Sequence, residues 1–182
     1  MIFPAKQQPC FGILLLLGVV FLSLPSVVGQ VATFEHEPIN YGSAEVSDDV
    51  ARLAERLKAG EVELKYEAPQ GYLKSLLQEL KIPVSSQTLV FSKTSLQLHR
   101  ISPRQPRAVY FNDDVYVGWC QNGDVVELAS TDPRQGAIFY TIEQKKSEQT
   151  KIVRDRGQCM TCHASSRTQG VPGYLVRSVF SD

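Results

Sequence analysis

From Thr88 to Ile142 the chain alternates short β-branched and aromatic runs with turn residues, and this limits what its middle can become. Thr88-Leu89-Val90-Phe91, Arg107-Ala108-Val109-Tyr110-Phe111, Val115-Tyr116-Val117-Gly118-Trp119-Cys120, Val125-Val126-Glu127-Leu128 and Ala137-Ile138-Phe139-Tyr140-Thr141-Ile142 have strand composition. Asn112-Asp113-Asp114, Gln121-Asn122-Gly123-Asp124 and Asp132-Pro133-Arg134-Gln135-Gly136 stand between them and supply tight reversals. Connections this short join antiparallel neighbours. An antiparallel meander of about four or five strands is therefore expected.

The segment before the meander reads as helical. Ser47-Asp48-Asp49 offers a cap and acidic first-turn residues, Val50, Leu53, Ala54 and Leu57 follow at helical spacing, and Gly60 stops the run. A second short helix is expected over Tyr72 to Leu80, where Leu73, Leu76, Leu77 and Leu80 share a face ahead of Pro83. Both leucine stripes read as core. Residues 30–46 are irregular, and Glu143 to Arg156 reads as a charged loop. The fold class is α+β: two short N-terminal helices, a central antiparallel β-meander and a C-terminal segment.

Lys plus Arg and Asp plus Glu are both 19, so the formal charge is zero. A nucleic-acid binder needs a basic excess to neutralise phosphates, so the balance argues against that class. In the first thirty residues Lys6 is the only charge, an apolar run from Phe11 to Leu22 follows, and Val27-Val28-Gly29 closes the segment. This order is that of a secretory signal peptide. We expect a signal peptide over 1–29, a domain over 30–182, and a periplasmic or exported product with no stable membrane span after cleavage. The alternative is an uncleaved anchor, for which the run falls short of the roughly 20 apolar residues a spanning helix needs. Cys10 precedes the apolar run, the wrong side for a lipoprotein cysteine.

Removal of that segment leaves Cys120, Cys159 and Cys162. An odd count in an oxidising compartment cannot close into disulfides alone. Cys159-Met160-Thr161-Cys162-His163 is C-x-x-C-H, the attachment pattern of haem c. Two thiols three positions apart can each add to one vinyl group of a single porphyrin, and the adjacent imidazole then becomes the proximal iron ligand. A chance match arises on the order of once in a thousand chains of this length. The expected cofactor is haem c, held by Cys159, Cys162 and His163. Gly157 would let the chain approach the macrocycle.

Two other chemistries share the cysteines. A thioredoxin-like pair should open a helix after a strand in a βαβ setting, which the pattern lacks. A structural zinc site would need Cys120 to join Cys159, Cys162 and His163; Cys120, in a strand pattern, reads instead as a small buried side chain. The second axial ligand is open. Met1 lies in the leader and Met160 sits between the attachment cysteines. His99, in an expected strand, is a weak distal candidate whose plainer reading is an exposed histidine; His36 is more exposed still. Arg154, Arg156, Arg167 and Arg177 flank the motif and could pair with haem propionates, or form a solvated basic loop. Trp119, Tyr110, Tyr116, Phe139 and Tyr140 could line a pocket but are more often core.

Tyr110-Phe111-Asn112-Asp113-Asp114-Val115-Tyr116-Val117-Gly118-Trp119 and Cys159-Met160-Thr161-Cys162-His163-Ala164-Ser165-Ser166 are the most distinctive parts of a stretch, Val84 to Ser178, that resembles a group of exported cytochrome-c-domain proteins of planctomycete-type bacteria. The resemblance implies haem binding and electron transfer with a redox partner protein. It also implies more sequence beyond Val179-Phe180, so the chain is expected to be incomplete at that end. Only 182 − 163 = 19 residues follow His163. A small cytochrome c carries its motif near the N-terminus of a helical domain, and cytochrome c prime is a four-helix bundle; neither architecture is expected. Besides an electron carrier, two functions are open: a peroxidase-like haem enzyme with an open distal face, and a module without haem that binds a partner through its sheet.

Overall fold

The computed structural model describes residues 33–175; the expected signal peptide and Arg177 lie outside them. Helix α1 spans Asp49–Lys58 and α2 spans Leu73–Glu79. The Asp48 side chain accepts hydrogen bonds from the N–H groups of Val50 and Ala51, at 2.9 and 3.0 Å, and so caps α1. At the other end Gly60 takes φ +74°, the left-handed turn that ends many helices.

Six strands follow: β1 Thr88–Val90, β2 Arg107–Phe111, β3 Val115–Trp119, β4 Val125–Asp132, β5 Gly136–Glu143 and β6 Ile152–Arg154. They form one antiparallel sheet in chain order, so the expected meander is present. It has one strand more than the upper count read from the sequence. The added strand, β6, lies inside the charged stretch expected to be a loop. Two forces draw it in. The outer edge of β5 would otherwise leave its peptide groups unpaired. The Arg154 guanidinium also donates to the carbonyls of Ala44 and Tyr41 and to Gln135 Oε1.

A second correction concerns His99. It was expected in a strand but lies in a 3-10 turn, Leu98–Arg100. The buried Gln97 explains this: its amide donates to the Val125 carbonyl and accepts from the N–H groups of Asp124 and Val125. A side chain thus does the pairing that a strand backbone would have done. The segment also stays tied to Glu127, which accepts from Ser95 Oγ and the Leu96 N–H.

Directly paired residues of an antiparallel sheet share a face, so the register sorts the sheet into two surfaces. Val126, Leu128, Ile138, Tyr140 and Ile142 lie on the inner face and form one core with Val50, Leu53, Leu73, Leu76 and Leu77 of the helices. There the Tyr140 hydroxyl donates to Asp48 Oδ2, fastening the cap of α1 to β5. The outer face carries two rows. One runs Phe111–Tyr116–Ala129–Phe139; the other runs Val109–Gly118–Glu127–Thr141–Val153. No helix among the described residues is long and apolar enough to cross a membrane.

Candidate functional site

Cys159 to His163 forms a one-turn helix, α3 (Met160–His163), that hangs from the edge of the sheet. The suspension starts at Asp155, whose N–H donates to the Phe139 carbonyl at 2.8 Å. Its Oδ2 then accepts from the N–H groups of Gly157 and Cys159, at 3.1 and 2.9 Å. Met160 is buried in the main core, so the residue between the attachment positions is the plug that fixes the turn. Cys159 is half-buried and Cys162 exposed, both as free thiols. Three positions apart on one helical turn, they lie on the same side. Burial, then the Asp155 carboxylate and the more distant Glu127, push the Cys159 thiol up to about 12.

His163 is held from two directions. Its ring lies 4.3 Å from the Phe139 ring, centroid to centroid, at 43°. Its Nδ1 lies 2.9 Å from the Gly173 carbonyl oxygen. A carbonyl only accepts, so Nδ1 carries a proton, and in the neutral ring the lone pair is then on Nε2. The backbone doubles the tie: the Gly173 N–H donates to the His163 carbonyl at 2.9 Å, and Thr168 Oγ1 donates to the same oxygen at 3.2 Å.

Gly173 is itself seated by β5. The Pro172 carbonyl accepts from the Ala137 N–H at 3.3 Å. Gly136 has φ +79°, and a Cβ there would run into the Pro172 oxygen. Tyr174 crosses the outer face, with its hydroxyl 2.9 Å from Thr131 Oγ1 and its ring 4.8 Å from that of Tyr116.

The other predicted residues distribute unevenly. His99 is largely exposed, with Nε2 3.9 Å from Asp124 Oδ2 just before β4. Asp124 and Ala129, the latter paired with Phe139, are five residues apart, about 16 Å along a strand. His99 and His163 are therefore not brought together. Cys120 is buried after β3. Among the described residues no group of three His, Cys, Asp or Glu side chains is gathered to hold a metal ion, so the four-ligand zinc set is not assembled. His36 is exposed. Arg154 is turned inward onto carbonyls, Arg156 donates to the Gly42 carbonyl at 3.2 Å, and Arg167 is exposed. Of the five aromatics proposed to line a pocket, Phe139 and Tyr116 share the outer face, while Tyr110, Trp119 and Tyr140 face inward.

Sequence reasoning missed Asp155, Gly136, Pro172 and Gly173. Gly136, Pro172 and Gly173 act through backbone geometry, which leaves no residue pattern beyond an unremarkable Pro-Gly pair, whereas Asp155 acts through a carboxylate that accepts from the N–H groups two and four residues on. The donor set suits a covalently attached haem: two thiols on one side of a turn, a neighbouring imidazole fixed with Nε2 bare, and partly exposed aromatic surface alongside. Compared with protein-family models, curated proteins and solved structures, the chain matches none.

Proposed function

We propose that this chain is an exported c-type haem protein that carries electrons, with Cys159 and Cys162 as the covalent anchors and His163 as the proximal ligand. The observation that carries the reading is the bond from His163 Nδ1 to the Gly173 carbonyl. A ring left free could turn or present either nitrogen; this one is held with Nε2 as its only lone pair, as an iron ligand requires. A haem bound here would be held by Cys159 and Cys162 through thioether bonds, each equivalent to adding the thiol S–H across one vinyl double bond. The haem, when bound, supplies the one-electron chemistry. The chain supplies the rest: two thioether tethers, an oriented imidazole, and Phe139 packed beneath it. Residues 1–29 serve as the signal peptide that delivers the chain to the compartment where attachment occurs.

The test is a pyridine-haemochrome spectrum on protein matured with a haem-attachment system. The α-band of two saturated thioether links is expected, and Cys159→Ala/Cys162→Ala should abolish it. A colourless wild-type chain, or haem that survives denaturation of the double variant, refutes the reading. One observation favours a second reading, a peroxidase-like haem enzyme with an open distal face. Met160 is buried in the core, away from any ligand role. Rapid carbon monoxide binding by the ferrous protein supports that reading; no binding supports a six-coordinate carrier.

A further inference from the structure

The outer face of the sheet carries, next to the motif, a charge pair that the attachment site does not use. Arg107 on β2 reaches across Gly118, where a Cβ would lie 3.5 Å from Arg107 Cδ, to bond Glu127 on β4. Arg107 Nη1 and Glu127 Oε2 are 2.8 Å apart, and both side chains are only 17% exposed. The other carboxylate oxygen is taken by Ser95 Oγ at 2.5 Å and the Leu96 N–H at 3.1 Å. The pair is therefore fixed in position and shielded from the solvent that would screen it.

Register places the pair on the same face as the motif. Ala129 faces Phe139 directly and Glu127 is two residues along the same strand, which makes Glu127 a diagonal neighbour of Phe139 at about 7–8 Å. Phe139 is the ring against which His163 packs. Arg107 Nε is buried with no hydrogen-bond partner, so the guanidinium is not fully used by Glu127. A sheet face gains little net stability from holding two opposite charges this far out of solvent, because burying them costs about as much as their attraction returns.

We infer that the Arg107–Glu127 pair sets the electron affinity of an iron held at His163, each charge offsetting the other. The inference rests on the haem reading above. The oxidised iron carries one more positive charge than the reduced iron, so a lone cation nearby favours reduction and a lone anion favours oxidation. The two neutral variants should therefore move the midpoint potential in opposite directions.

The experiment is a spectroelectrochemical titration of the matured haem protein. Glu127→Gln keeps an acceptor oxygen for Ser95 and Leu96 and leaves Arg107 uncompensated. At fixed ambient potential its ferrous-to-ferric ratio should rise about tenfold, a rise of about 59 mV for one electron. Arg107→Gln should lower the ratio by a similar factor, and the double variant should return close to wild type. Arg107→Lys keeps the charge and should leave the potential nearly unmoved. A merely structural role would loosen the face in both single variants and shift both the same way. Arg56→Gln, whose partner Glu79 belongs to the helices, is the unmoved control. Shifts of one sign, or none, in a protein with an intact haem α-band overturn this inference alone; a wild-type chain with no α-band overturns it together with the haem reading. If Glu127→Gln does not accumulate, Arg107→Gln against Arg107→Lys decides.

Discussion

Replacing Gly136 by Ala tests whether the Pro172–Gly173 segment is truly seated against β5. Gly136 and Gly60 share a left-handed backbone, φ +79° and +74°. They differ in surroundings: nothing lies within 4 Å of a Cβ at Gly60, whereas one at Gly136 meets the Pro172 carbonyl oxygen. Gly60→Ala should therefore cost only the backbone term, about 1 kcal/mol. Gly136→Ala carries that term and a collision as well. The Pro172 carbonyl must move and give up the Ala137 N–H, which adds about 0.5–1.5 kcal/mol. The expected total is about 1.5–2.5 kcal/mol, and the difference between the two variants isolates the contact. Urea denaturation gives both values, and nitrogen NMR of His163 gives the second readout. In wild type the imidazole proton sits on Nδ1; displacement of Gly173 should release the ring to a mixture of tautomers. Equal costs for the two variants, with His163 unchanged, would refute the seating and remove the support for a fixed imidazole.

Two further outcomes concern the inner face. Asp48→Ala removes the cap of α1 and strands the Tyr140 hydroxyl, so it should cost about 2–4 kcal/mol in chemical denaturation. Tyr140→Phe added to it should cost less than the sum of the two single changes, because the pair is shared. Asp132 is buried, which alone would raise its pKa, yet the N–H groups of Ser47, Arg134 and Gln135 outweigh burial and hold it below the ordinary carboxylate range. A depressed folded pKa gives stability that is present above the unfolded value, about 3.9, and is lost as pH falls through the folded one. Denaturation midpoints should therefore drop more steeply below about pH 4 in wild type than in Asp132→Asn; parallel curves would refute this assignment.

Much of the scaffold was legible because its signals are local. Arg107–Phe111 is a strand with the limits its composition implies, and Asp48 and Gly60 bracket α1 as their chemistry requires. What escaped depends on distant parts of the chain. Ala129 and Ser130 carry little strand character, but they pair with Phe139 and Ile138, so β4 continues through Thr131 to Asp132. Ile152–Arg154 sits among charges and becomes a strand because β5 offers an edge. His99 reads as a strand residue until the Gln97 side chain is seen to replace the backbone pairing. At the candidate site the five-residue motif is plain in the sequence, while its supports are not. Phe139 lies 24 residues before His163 and Gly173 ten after it, and the latter contributes only a carbonyl oxygen.

The division of the sheet into two surfaces has a consequence for assembly. The helices close the inner surface with side chains of the chain itself, so the scaffold owes little of its cohesion to whatever the outer surface carries. A polypeptide of this kind should reach its native shape before it is loaded, and should keep that shape if its cargo is never delivered. On the haem reading, loading is a late event on a finished platform, and outer-surface substitutions can be compared in the empty and the filled protein alike.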